Sequence, residues 1–171
     1  VRHIEGDRFP VGELDGSSSA RVTRISESFT RAGFKAPVLD NIRCEIWLKL
    51  WGNLTFNPIS SLAHATLVDI CQYPLSRALA ANMMREAQDV AHKLGIEFRV
   101  TLDKRIAGAE KVGKHKTSML QDIEAGRAPE IVHADSFLRA AKLCQQGIQP
   151  RATIIGLLIF GAAASARAAA L

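Results

Sequence analysis

Glycines two residues apart are missing from this sequence. None of its twelve glycines stands two positions from another, so no G-x-G-x-x-G turn exists, and no P-loop either. A dinucleotide or nucleoside triphosphate cradle of either kind is therefore excluded from these 171 residues. Cysteine is scarce too. Cys44, Cys71 and Cys144 lie far apart with no C-x-x-C, which argues against a disulfide scaffold or a zinc framework and for reduced core thiols in a cytoplasmic protein. Aromatics make up 6%, and none is interleaved with the one basic cluster, Lys111, Lys114, His115 and Lys116. A net charge of +5 thus comes without a stacking platform, so no nucleic-acid partner is expected. The cluster reads either as a solvated helix face or as the source of a mild positive field that attracts a small anionic substrate. No apolar run opens the chain as a secretory signal would. The first residue is Val1 and the first methionine Met83, so the chain is expected to be a fragment of something longer.

What is present is an ordinary globular composition, 47% hydrophobic and 23% charged. Extended runs around Arg2–Ile4 and Phe9–Val11, joined through Gly6-Asp7, have a hairpin signature. Ser17-Ser18-Ser19 then offers an N-cap to a helix striped by Val22, Ile25, Phe29 and Ala32 and stopped by Gly33. Pro37-Val38-Leu39 is a short strand. The first forty residues therefore read as the strand-helix-strand end of an α/β domain.

After Asp40 the pattern is helical. A long apolar helix begins near Ile42 and meets Pro58, where loss of the backbone hydrogen bond kinks it beside Asn57. Pro74 opens another, with Leu75, Leu79, Met83, Ala87, Val90 and Leu94 on one face and Gly95 at its end. Residues 102–124 hold one or two helices, interrupted near Gly113 and ended by Gly126, and a further helix spans 131–146. The last segment, Ala152 to Leu171, is rich in alanine, with Arg167 its one charged side chain. It is a poor membrane-insertion sequence and reads as a buried core or dimer-interface helix, so a homodimer is possible and a membrane span is not expected. The whole is mainly α: 1–40 the end of an α/β domain, 41–171 a helical domain.

Chemistry concentrates in the segment from Cys44 to Pro58. On a helical wheel Trp47, Leu48, Leu50, Trp51, Leu54 and Phe56 cover nearly the whole circumference, which marks a buried helix. Lys49, Asn53 and Asn57 nevertheless line one narrow polar stripe, with Ser60 and His64 continuing it. A lysine there either snorkels to solvent or faces a cleft, where desolvation would make it a better proton donor. The asparagines either bind polar groups or cap neighbouring backbone. His64 lacks a second ligand one turn away and is read as structural, and no metal site is expected. In the segment from Ser118 to Ile131, Gly126 ends one helix and Pro129 opens the next. Ser118 suits a cap and Glu130 suits a first helical turn.

Taken in order, Asn41-Ile-Arg-Cys-Glu-Ile-Trp-Leu-Lys-Leu, Asn53, Asn57-Pro58, Ser118-Met-Leu-Gln-Asp-Ile, Gly126-Arg127 and Glu130-Ile131 resemble ketopantoate reductase, 2-dehydropantoate 2-reductase. The resemblance covers nearly the whole chain as the last part of such an enzyme. It implies a truncated Rossmann-type nucleotide-binding domain over 1–40 and a helical substrate-binding and dimerisation domain over 41–171. It also implies reduction of an anionic 2-keto acid by NADPH to give pantoate for pantothenate biosynthesis. Lys49 matches the family's proton donor and Glu130 the acid that engages substrate and lysine. Asn53 and Asn57 match residues that bind the substrate's polar groups, and Ser118 matches a carboxylate ligand. Where the family commonly has Thr before the glutamate and Asp two residues after it, this chain has Pro129 and Val132. Cofactor-binding residues are expected before Val1, so the chain by itself is expected to bind NADPH poorly and to be inactive. Two other readings stay open: a reductase of a different small 2-keto acid, and a non-catalytic helical dimerisation or interaction module.

Overall fold

The computed structural model describes residues 6–127. The expectations for Arg2–Ile4, Cys144, the 131–146 helix, the alanine-rich segment and Glu130 lie outside these residues. The chain divides into two units between Trp47 and Leu48.

In the first unit, backbone from Asp7 to Val11 pairs in parallel with backbone from Lys35 to Leu39. Lys35 N–H donates to the Asp7 carbonyl and Phe9 N–H to that of Lys35, both at 2.7 Å. Leu39 N–H closes the pairing onto Val11 at 2.8 Å. Parallel neighbours need a crossover, and helix α1 (Ala20–Arg31) provides it. The strand-helix-strand expectation holds, although the pairing amounts to isolated bridges at Arg8–Lys35 and Val11–Val38. The Phe9–Val11 run expected in a hairpin is thus partnered by the segment that follows α1.

Both ends of α1 were readable. Ser19 is the N-cap, its hydroxyl accepting the Val22 N–H at 3.1 Å. At the other end Gly33 takes φ 88°, Gly33 N–H donates to Thr30 and Phe34 N–H to Phe29, the paired bonds of a Schellman motif. Phe34 then packs edge-on against Phe29 at 6.2 Å, and Phe9 joins both rings. The predicted apolar stripe is corrected in one respect. Only Val22 is buried, while Ile25, Phe29 and Ala32 are exposed.

Helix α2 (Ile42–Ala63) begins at Asn41, whose side-chain oxygen accepts the Cys44 N–H at 3.3 Å. It runs through Pro58 for more than a further turn. Pro58, Ile59, Ser60 and Ser61 are all buried, so packing outweighs the missing backbone bond.

The second unit adds α3 (Leu67–Gln72), α4 (Pro74–Lys93), α5 (Leu102–Lys111) and α6 (Ser118–Glu124). Its core joins Trp51, Leu54 and Phe56 of α2 to Ile70 of α3, Met83 and Met84 of α4, and Ile106 of α5. Trp51 is its pivot: fully buried, stacked on Phe98 at 4.2 Å, its indole N–H donating to the Met84 carbonyl at 2.7 Å. Short α3 was not anticipated. Its signal was the Thr66-x-x-Asp69 capping box, in which the Thr66 N–H and hydroxyl both donate to Asp69. The expected α4 face is confirmed at Met83, Ala87 and Val90, but Leu75 is 70% exposed and Leu94 also lies outside the core. Ala80, Met84 and Ala91 complete the buried face instead.

Cys44 and Cys71 are buried free thiols, as expected. Burial pushes the Cys71 thiol up, helped by the charge of Glu110 and opposed by Arg77. The basic cluster lies mainly in the α5–α6 connection, not on a helix face: carbonyls of Gly113 and His115 receive the N–H groups of Val68 and Leu67, and Lys116 pairs with Glu124 at 2.8 Å. No helix among the described residues is long and apolar enough to cross a membrane.

Candidate functional site

From Trp51 to Ser61, α2 is buried at every position except Asn53 and Asn57, which are half-buried. Those two and Lys49 recur at four-residue intervals, so they lie about 6 Å apart along one face. Lys49, at the start of this face, is exposed. What the fold provides is a reachable lysine beside two partly sheltered carboxamides.

The stripe stops at Asn57. Ser60 is fully buried and its hydroxyl donates to the Ala65 carbonyl at 2.6 Å, so it serves the end of the helix. His64 is exposed and takes φ 50° just after α2, while Ala65 N–H reaches back to the Ser60 carbonyl. It fills the left-handed position where glycine is usual, in keeping with its structural reading. No group of three or more potential metal ligands occurs among the described residues.

Ser118 is the exposed first residue of α6. The capping role considered for it belongs to Thr117, whose hydroxyl accepts the Leu120 N–H at 3.3 Å. Ser118 is left with its hydroxyl on the first turn. Lys49, Asn53 and Asn57 thus share one surface, Ser118 stands on a different helix, and Glu130 lies outside the described residues.

One residue next to the stripe escaped sequence reasoning. Arg105 of α5 lays its guanidinium on Gly52 of α2: a Cβ added at Gly52 would overlap Nη2 outright and stand 3.2 Å from Cζ. The signal was a glycine inside a long helix, together with an arginine lacking an acid three or four residues away on its own helix. Burial pulls the guanidinium below its ordinary value, with no carboxylate opposing it.

The N-terminus of α1 is not a seat for the pyrophosphate of a dinucleotide. At the N-terminus of α1, the helix after the Phe9–Val11 segment, Glu13 accepts from Ser19 and Arg21, and Asp15 accepts from Ser17. These bonds hold both carboxyls below their ordinary range; Arg21 meets the Glu13 charge, and the Asp15 carboxylate would repel a pyrophosphate.

Comparison with known proteins identifies the family. Residues 41–147 match the family described as "Ketopantoate reductase PanE/ApbA C terminal". The 2-dehydropantoate 2-reductase of Mesorhizobium japonicum is 55% identical over 131 residues, covering 77% of this chain and 40% of that protein. The chain thus spans about two fifths of the length of the curated relatives it matches. Among solved structures, 2-dehydropantoate 2-reductase from Methylococcus capsulatus superposes with a TM-score of 0.83 at 27% identity, over 97% of this chain and 53% of that one. A D-mandelate dehydrogenase with NADH and anilino(oxo)acetate reaches 0.81 at 21% identity, over 98% and 70%, a likeness of fold.

Proposed function

This chain belongs to the ketopantoate reductases, matching the C-terminal part of that family, and on that premise we propose that it supplies the substrate side of a 2-dehydropantoate 2-reductase. The supporting observation is the Lys49–Asn53–Asn57 face, the accessible polar part of α2 between Lys49 and Ser61. An inert helical module has no use for such a face, and this favours the enzyme over the non-catalytic reading.

The chemistry concerns the oxygen of the keto group. When hydride adds to the keto carbon, charge develops on that oxygen, and an adjacent ammonium both stabilises the alkoxide and protonates it. Lys49 carries this role. Asn53 and Asn57 donate and accept hydrogen bonds one and two turns away, orienting the substrate along α2. Ser118 contributes a hydroxyl to the carboxylate, and Glu130 engages substrate and lysine. NADPH is the reductant of the proposal. The N-terminus of α1 does not fit its pyrophosphate; in this proposal its site lies in a nucleotide-binding domain whose end is formed by residues 1–40, and this chain alone is inactive. The protein works in the cytoplasm.

The test is Lys49→Ala in a form of the protein that carries a nucleotide-binding domain. Reduction of ketopantoate falls by about 100-fold or more, the scale of a positioned proton donor, while the helical circular-dichroism signal is retained. Unchanged turnover removes Lys49 from the mechanism.

A further inference from the structure

Arg105 and Gly52 form a device that the reaction as described does not use. The guanidinium occupies the space where a side chain at position 52 would begin. On the wheel of α2, position 52 lies about 60° from Lys49, and its Cβ would sit about 5–6 Å from that of Lys49. The Arg105 guanidinium therefore borders the polar face, on the Lys49 side, with Asn53 the next residue along the chain. Among the described residues neither Lys49 nor Arg105 has an ion-pair partner, and the Arg105 Nε is buried without a hydrogen-bond acceptor. A half-buried guanidinium held against backbone, unpaired, calls for an explanation, because a buried donor without an acceptor is costly.

We infer that Arg105 anchors the carboxylate of the 2-keto acid, with Gly52 kept small to let its guanidinium reach the polar face. In a 2-keto acid the carboxylate is bonded directly to the keto carbon. If Lys49 serves the keto oxygen, the carboxylate must lie within a few ångströms of it. A planar guanidinium matches a carboxylate with two parallel hydrogen bonds, stronger and more directional than a serine hydroxyl provides. The division of labour is then charge recognition by Arg105, proton transfer by Lys49 and orientation by the asparagines. This rests on the proposed function for the identity of the acid, but not for the class of ligand.

The experiment titrates the 15N-labelled 171-residue chain with ketopantoate and follows the Arg105 Nε–H and Gly52 amide signals. Neutral ketopantoyl lactone, pyruvate and phenylglyoxylate are run in parallel. Ketopantoate moves both signals saturably and the lactone does not; Arg105→Gln weakens binding about tenfold or more, the usual consequence of losing a charged hydrogen bond. Gly52→Ala, which displaces the guanidinium without removing it, does the same. Equal affinity of the parent and Arg105→Gln overturns the assignment, as does the absence of any carboxylate response at Arg105. If pyruvate or phenylglyoxylate moves Arg105 while ketopantoate does not, the carboxylate anchor stands and the ketopantoate reading fails.

Discussion

Gly52→Ala tests the packing of Arg105 on α2 through stability alone. Alanine inside a helix is favoured over glycine by about 0.8–1.0 kcal/mol. Against this, the new methyl overlaps Arg105 Nη2, with Cζ at 3.2 Å and Nε at 3.7 Å. The guanidinium must retreat by roughly an ångström or more to restore ordinary contact. Moving the end of a flexible side chain off its preferred rotamer costs about 0.5–1.5 kcal/mol, so the two terms nearly cancel and the unfolding free energy should change by less than about 0.5 kcal/mol. In an Arg105→Ala background the overlap is gone, and the full gain of about 1 kcal/mol should appear. Urea denaturation of the four chains, followed by tryptophan fluorescence, measures both numbers, because Trp51 is fully buried beside Phe98 in this core. Equal gains in both backgrounds would mean that Arg105 does not rest on Gly52. A loss above about 2 kcal/mol in both would mean that backbone, not arginine, closes over the glycine.

Two further outcomes follow from the ends of the helices. His64→Gly should stabilise the protein by about 0.5–1 kcal/mol, since a side chain at φ 50° pays a steric cost that glycine does not; destabilisation would show that the imidazole itself is needed. Asp69 is held below the ordinary carboxylate value by the Thr66 hydroxyl and then by the Thr66 N–H. Because the folded value is depressed, its stabilising effect is full above the ordinary value near about 3.9 and fades as pH falls through the lower folded value. Carboxyl NMR should therefore show Asp69 titrating late on acidification, and Thr66→Val should move that titration upward; an ordinary titration in the parent would break the capping-box account.

Much of the backbone was legible because its signals are local. Ser19, Gly33, Pro74, Gly95 and Gly126 mark helix ends through groups that act within a few residues of themselves, and each stands at or beside a helix end. Lys49, Asn53 and Asn57 could be placed on one face by arithmetic, since the helical period alone decides it. The same arithmetic misjudged Ser60, because it cannot tell a continuing stripe from a hydroxyl buried on the Ala65 carbonyl. It likewise assigned Leu75 and Leu94 to a face whose core contacts come from Met83, Ala87 and Val90 together with Ala80, Met84 and Ala91.

What tertiary structure alone decided is which groups from distant parts of the chain meet. Period and composition identify α2 as buried, but not that Met84 receives the Trp51 indole, 33 residues on. The Gly52–Arg105 contact belongs to the same class, since no pattern within either helix predicts which side chain of another will fill the space a glycine leaves. Exposure of Lys49 is of this kind as well. The sequence by itself determined α1, α2 and α4, the polar face and the family, all set by short-range periodicity and ordered motifs. Solvent access, partners across helices and the unpaired charge of Arg105 arise only when the elements pack, because burial and the field at a site depend on every segment that surrounds it.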